Sequence, residues 1–238
     1  MDNQSTEVAI VIPNYNHQEY VKKAVESSLS QSYPCKIIVV DDGSTDNSRG
    51  VLESYEKHGI EVIYKKNGGP GSARNVGVNA ALKLGFKYIQ LLDADDWMYD
   101  KKVETLYNIA ESNDEIGIVY DDYLHYYNDH DFYAREYKIS TTPEMMWRNC
   151  QIQCNSLVKS WVFKKAQLSN EVYYDESMRV AQDYDFWLRA IQHCVAWHHP
   201  EVLSVVRMGS NNSADPIRGK VREECLRKLR QRNAHLYL

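Results

Sequence analysis

Three aspartates within four residues, Asp93, Asp95 and Asp96, follow directly on the apolar run Ile89-Gln90-Leu91-Leu92, with only Ala94 between them. Carboxylates crowded at a strand end repel one another, and solvent or a cation has to offset that repulsion. Aspartate is a hard oxygen donor suited to Mg²⁺ or Mn²⁺, ions that keep several waters and take substrate phosphates as further ligands. A solvated acidic cap between strand and loop fits the same residues, so the reading depends on what other segments supply. A second acidic pair, Asp41-Asp42, closes the β-branched run Lys36–Val40 and precedes Gly43. Asp42, an acceptor-only carboxylate when ionised, can accept from a ligand N–H, or it can open a turn with Gly43.

The elements that must position these groups alternate through the first half of the chain. Val8–Ile12 reads as a strand closed by Pro13. Residues 18–32 place Val21, Ala24, Val25 and Leu29 on one helical face, with Pro34 as the stop. Lys36–Val40, Ile60–Tyr64, Tyr88–Leu92 and Ile116–Tyr120 read as further strands. Between them lie a helix carrying Val51, Leu52 and Tyr55 and capped by Ser44, Thr45 or Asp46, a helix over Ser72–Leu84 closed by Gly85, and a helix over Lys101–Ser112. This repetition predicts an α/β fold with a mostly parallel sheet flanked by helices, in which ligands bind beyond the carboxyl ends of the strands. Pro13–Asn16, Asp41–Asp46 and Asp93–Asp96 all fall on that rim.

The second half is less regular. Asp121–Tyr137 holds Tyr123, Tyr126, Tyr127, Tyr133, Tyr137 and Phe132 without clear periodicity. Ala181–His193 reads as a helix and Val202–Val206 as a late strand. Residues 217–238 carry seven Lys and Arg against two Glu, with Val221, Cys225 and Leu229 at helical spacing. No repeat or linker interrupts the 238 residues, so one domain over 1–238 is expected.

A hydrophobic content of 43% and a charged content of 26% are those of a globular protein, and the net charge of −5 argues against a nucleic-acid face. No apolar run reaches membrane-spanning length, and Met1–Glu7 lacks the basic and apolar regions of a signal peptide, so a cytoplasmic protein is expected. Five scattered cysteines fit reduced thiols, and Cys150 and Cys154 with His193 match no zinc-module spacing. Gly69-x-Gly71 leads to Arg74 instead of a third glycine, and no phosphate loop of the ATPase kind is present.

From about Val8 to Ser213 the sequence resembles the inverting glycosyltransferases of family 2, with the GT-A fold. Five segments in order carry the resemblance: Val8–Asn16, Val39–Asp46, Asn67–Gly77, Leu92–Asp96 and Gln182–Trp187. It implies a Rossmann-like nucleotide-sugar-binding half over 1–120, a mixed acceptor and catalytic half over 121–216, and a basic C-terminal helix over 217–238. It implies donor contacts at Pro13, Tyr15, Asn16, Asp42, Asn67, Gly69, Arg74, Asp93, Ala94 and Asp95. Mn²⁺ or Mg²⁺ would sit at Asp93, Asp95 and Asp96, and Asp183 would be the general base. For Asp183 the alternative is the cap of a helix beginning near Tyr184, and for Arg74 a solvated helix position. Asp185 should pair with Arg189 one turn on.

The sequence departs from that family at Gln182, where members often carry Glu, and at Gly209, where many carry a His that contacts metal or phosphate; Arg207 or Ser210 could compensate. Both departures would also suit a catalytically silent sugar-nucleotide-binding module. The acceptor expected is a glycan or a lipid-linked sugar. The tyrosine-rich stretch would stack on it, or else pack a sheet edge or a homodimer contact. The basic helix would dock on anionic lipid or pack its apolar stripe on the domain.

Overall fold

The computed structural model describes residues 6–209 and 216–234. Its amino-terminal half is a parallel array. Strand β1 (Val8–Asn14) lies between β2 (Cys35–Asp41) and β4 (Tyr88–Leu91), and β3 (Glu61–Tyr64) adds beyond β2. Helices α1 (Val21–Leu29), α2 (Ser48–Glu56) and α3 (Pro70–Lys83) make the crossovers. Along β1 the side chains alternate between two cores. Val8, Ile10 and Ile12 pack with α1, and Ala9 and Val11 pack on the opposite face with Val78 and Ala81 of α3. A strand buried on both faces needs a continuous apolar run, which is what Val8–Ile12 supplies.

The approach of α3 to β1 is set by Gly77. A Cβ there would lie 2.4 Å from a Val11 methyl and 3.2 Å from one of Val40. Gly77→Ala should therefore destabilise the fold by about 1–3 kcal/mol in chemical denaturation, although alanine is the better helix former.

The carboxyl-terminal half is mixed. After the two-residue β5 (Trp97–Met98) and α4 (Lys102–Glu111), the long strand β6 (Ile116–Tyr127) runs into a 3₁₀ turn at Asn128–His130 and folds back as β7 (Phe132–Glu136). Short helices α5 (Pro143–Arg148) and α6 (Ser160–Ala166) flank β8 (Leu157–Lys159). Helix α7 (Gln182–Ala190), β9 (Val195–Met208) and α8 (Pro216–Asn233) complete the described chain. Strand order is β3-β2-β1-β4-β8-β6-β9-β5, with β7 paired to β6. β8 joins antiparallel to β4 and β6, β9 is parallel to β6, and β5 is antiparallel to β9. The parallel half matches the sequence expectation. The sheet becomes mixed beyond β4.

The stretch read as aperiodic is a hairpin with alternating faces. Tyr123, His125, Tyr127 and Phe132 stack successively on one side, and Trp97, Tyr126 and Tyr133 on the other. Aromatic residues on both faces had hidden the period of two. Beneath it, Lys102 and Asp121 form a fully buried ion pair at 2.6 Å, joined by Ser204, that ties α4 to β6 and β9.

In the described part of α8, Cys225 and Leu229 are buried in the core shared with α7. Asn233 donates to Asp185 at 3.1 Å, and Arg232 pairs with Asp175 and Asp185. The packing stripe on this helix is thus real; Ser210 and the side chain of Val221 lie outside the described residues. Among the described residues no helix is long and apolar enough to cross a membrane.

Candidate active site

The register of the parallel strands builds the rim. Asn14 stands opposite Asp41 and Val11 opposite Leu91, so the segments after β1, β2 and β4 emerge side by side. Asn14 is 1% exposed and donates to Asp41 at 2.8 Å and to Ser44 at 3.2 Å. Asn16, held at φ 54°, accepts from the Thr45 N–H at 2.7 Å, while its own N–H donates to the Ser44 hydroxyl at 3.0 Å. Asn and Asp tolerate this left-handed conformation better than other residues with a side chain. Asp46 accepts from the N–H groups of Gln18 and Ser48, both at 2.9 Å, and no side chain caps α2 at Asn47. Pro13 does not close β1, which continues through it opposite Val40 to Asn14; the Tyr15 ring projects just beyond, 44% exposed.

Asp42 is 1% exposed, and donors surround its carboxylate. The Lys65 ammonium, the Asn67 amide (3.2 Å) and the N–H groups of Gly68 (3.0 Å) and Gly69 (2.7 Å) all reach it. It thereby pins the loop that leads into α3. Gly43, at φ +73°, is part of the same contact, since a Cβ there would come within 2.8 Å of the Asn67 nitrogen. No turn forms at Asp42-Gly43; the Asp42 carboxylate holds Asn67–Gly69 instead.

Arg74, in the second turn of α3, is 5% exposed and not solvated. Its Nη2 donates to Asp93 Oδ1 at 2.5 Å and approaches the Cys154 sulfur at 3.8 Å. Cys154 in turn donates to Asp183 Oδ2 at 3.0 Å. A continuous chain of contacts therefore joins the acidic triplet after β4 to the first turn of α7. Burial works against the Arg74 charge, but the Asp93 and Asp183 carboxylates outweigh it and hold its pKa above the ordinary value. Burial, then Asp183 and Asp93, push the Cys154 thiol well up, so it stays protonated and able to donate. Arg74 Nη1 is buried and meets no acceptor among the described residues.

Asp183 lies inside the helix and does not cap it. The N-cap of α7 is Ala181, at φ 60°, and Asp183 sits in the first turn, half-buried. Asp185 points the other way and pairs with Arg189 at 2.9 Å, as its spacing predicts.

The three acidic residues after β4 diverge. Asp96 is 4% exposed and uses both oxygens inside the protein, accepting from the Asn155 amide at 3.0 Å and from the Arg207 N–H at 2.9 Å. Burial and then Asp95 raise its pKa well above the usual carboxylate range. Asp96 thus anchors β9 and is not placed as the metal ligand expected of it. Asp93 and Asp95 are half-buried, and burial together with Asp93 raises the Asp95 pKa. Ala94 is buried between them. No three His, Cys, Asp or Glu side chains gather as a metal cage among the described residues. A donor set of one or two carboxylates fits an ion that completes its shell with water and phosphate.

Arg207 donates to the Asp95 carbonyl at 3.1 Å and lies over the rings of Tyr20, Trp97 and Tyr126 at 4.4, 5.3 and 5.3 Å. At Gly209, a Cβ would meet nothing within 4 Å. Asn155 and Lys65 are site residues not singled out in the sequence, and Cys154 was weighed there only as a zinc ligand. All five cysteines are free, and Cys154 carried no local signal, since its partners lie 29 and 80 residues away.

Comparison with known proteins places the chain in a family. The glycosyl transferase family 2 model matches residues 9–167. An uncharacterized glycosyltransferase of Rickettsia typhi is 33% identical over 207 residues, covering 82% of this chain and 62% of the relative. Glycosyltransferase GlyA of Streptococcus pneumoniae is 28% identical over 71% of the chain and 26% of its own length. The chain thus spans less than two thirds of these relatives. Among solved structures, S. aureus TarS 1–349 in complex with UDP-GlcNAc superposes with a TM-score of 0.70 at 18% identity, over 87% of this chain and 60% of that one. The α/β sheet, mixed beyond β4 and flanked by helices, is the GT-A fold of that neighbour. With the family's model running unbroken from β1 through α6, this chain is a member of glycosyl transferase family 2.

Proposed function

We propose that the chain transfers a sugar from a nucleoside-diphosphate sugar, a UDP-sugar, to a hydroxyl of a glycan or lipid-linked acceptor, with inversion at the anomeric carbon. The observation that carries this reading is the chain Asp93–Arg74–Cys154–Asp183, which brings the donor-side acidic motif and the candidate base to one place. That the structurally similar TarS was solved with UDP-GlcNAc supports the donor class.

Each residue has a physical task in this reading. Tyr15 offers an exposed ring for the base to stack on. Pro13, Asn16, Asn67 and Gly69 shape the loops around the nucleoside, and an imide N–H reaching Asp42 competes there with Lys65 and Asn67. Asp95, with Asp93, would hold Mn²⁺ or Mg²⁺, whose charge when bound stabilises the diphosphate as it leaves. The unpartnered Arg74 Nη1 suits a phosphate oxygen. Asp183 takes the proton of the attacking hydroxyl, since an alcohol is a poor nucleophile until a base removes it. A single base in direct displacement inverts configuration, whereas retention would need a positioned nucleophile as well.

Cys154 orients Asp183 through its thiol. Cys154→Ala should lower kcat about tenfold, and Cys154→Ser, which restores a hydrogen-bond donor, should recover most of it. The function itself is tested by nucleoside-diphosphate release from UDP-, dTDP- and GDP-sugars with Mn²⁺ and hydroxyl acceptors. Tight UDP binding without release from any donor would favour the catalytically silent module.

A further inference from the structure

The candidate base borders a second space. A cavity of about 300 Å³ opens beside Asp183 on the side of α5 and α8. Trp147, Tyr184 and Leu229 line it as largely apolar residues, and Arg148 from α5 and Arg230 from α8, both exposed, line it as well. Its size is at the lower end of small-ligand pockets, enough for one sugar ring.

This cavity has two arginines and one aspartate in its lining. Among the described residues, neither Arg148 nor Arg230 has a carboxylate partner, although cations next to Arg230 on α8 are paired: Lys228 with Glu224 at 3.2 Å, and Arg232 with Asp175. The wall also includes the start of α7, where Ala181 holds φ 60° and no side chain caps the first N–H groups. Backbone strain at a residue other than glycine costs energy and recurs at ligand sites. An uncapped helix start and two free guanidiniums attract an anion. Asp183 opposes this, but Arg74 already offsets the Asp183 charge from the other side.

We infer that this cavity is the acceptor subsite, and that it takes a sugar or polyol carrying an anionic group held by Arg148 and Arg230, with a hydroxyl presented to Asp183. The word acceptor rests on the transferase reading above; the anion preference does not. The shared chemistry is the negative charge, which a phosphate ester or a uronic carboxylate would supply. Helix α8 then has a task besides packing, since it closes the wall of the pocket.

The test measures binding of glucose, glucose 6-phosphate and glucuronic acid to the full chain by saturation-transfer NMR, in the presence of UDP. At least one anionic probe should bind about tenfold or more tightly than glucose, and which one does so identifies the anion. The preference should disappear in the doubly substituted Arg148→Gln, Arg230→Gln protein, both positions being exposed, while UDP affinity and melting temperature are unchanged. Equal binding of all three probes, or a preference that survives the double substitution, would overturn the proposal. Nucleoside-diphosphate release decides the transferase reading separately, so the two can fail independently.

Discussion

Asp183→Asn is expected to slow sugar transfer by about 10²–10⁴-fold while leaving nucleotide affinity nearly intact. Asparagine preserves shape and can still meet the Cys154 sulfur, so the helix start and its contacts should persist. What is lost is the capacity to take a proton from the attacking hydroxyl. Because that capacity is used only in the transition state, kcat and kcat/KM should fall together. Steady-state kinetics alongside UDP titration by calorimetry separates the two effects. Undiminished turnover would remove Asp183 from the mechanism.

Asp95→Ala should weaken UDP binding in Mn²⁺ by roughly 100-fold and make the remaining affinity indifferent to EDTA. The expectation follows from how the acidic triplet divides. Asp96 is consumed by Asn155 and Arg207, and Asp93 is bonded to Arg74, which leaves Asp95 as the carboxylate least committed to protein partners. Its raised pKa reflects burial and the nearby Asp93, a repulsion that a divalent ion would relieve. UDP titrations with Mn²⁺ and with EDTA read this directly. Metal dependence surviving in the variant would move the ion to another group.

Much of this arrangement was legible in the sequence. The strands β1 and β2 carry apolar runs, only Gln90 interrupts that of β4, and α1 carries a stripe at helical spacing, so the parallel half follows largely from pattern. Besides β7, hidden by aromatics on both faces, the elements that were missed are those without enough residues to show a period: β5 with two, β8 with three, and α5 and α6 with six and seven. They form because the sheet on one side and the cores on the other fix them, and that is tertiary information. The motif residues were found by type and order, but their tasks were not always visible. Asp96 shares its segment with two candidate ligands, yet faces a partner on β9 that is 111 residues away. Asp42 meets backbone N–H groups, which no residue type announces. Cys154 reads as an ordinary buried thiol until α3 and α7 are brought around it.

The Asp185–Arg189 pair was predictable for the opposite reason, since both partners lie one helical turn apart. The docking of Arg232 and Asn233 on α7 was not, being 47 and 48 residues removed from Asp185. Local spacing thus reports helix-face contacts, while the assembly of the site depends on crossovers that bring remote strand ends together.

The most direct test is an anomalous difference map from crystals of the full chain grown with UDP and Mn²⁺. A manganese peak bonded to Asp95 is expected, with the diphosphate bridging it toward Arg74 and the open side facing Asp183. A peak at another site, or a diphosphate with no space for a sugar between it and Asp183, would contradict the proposal that these residues serve one transfer reaction.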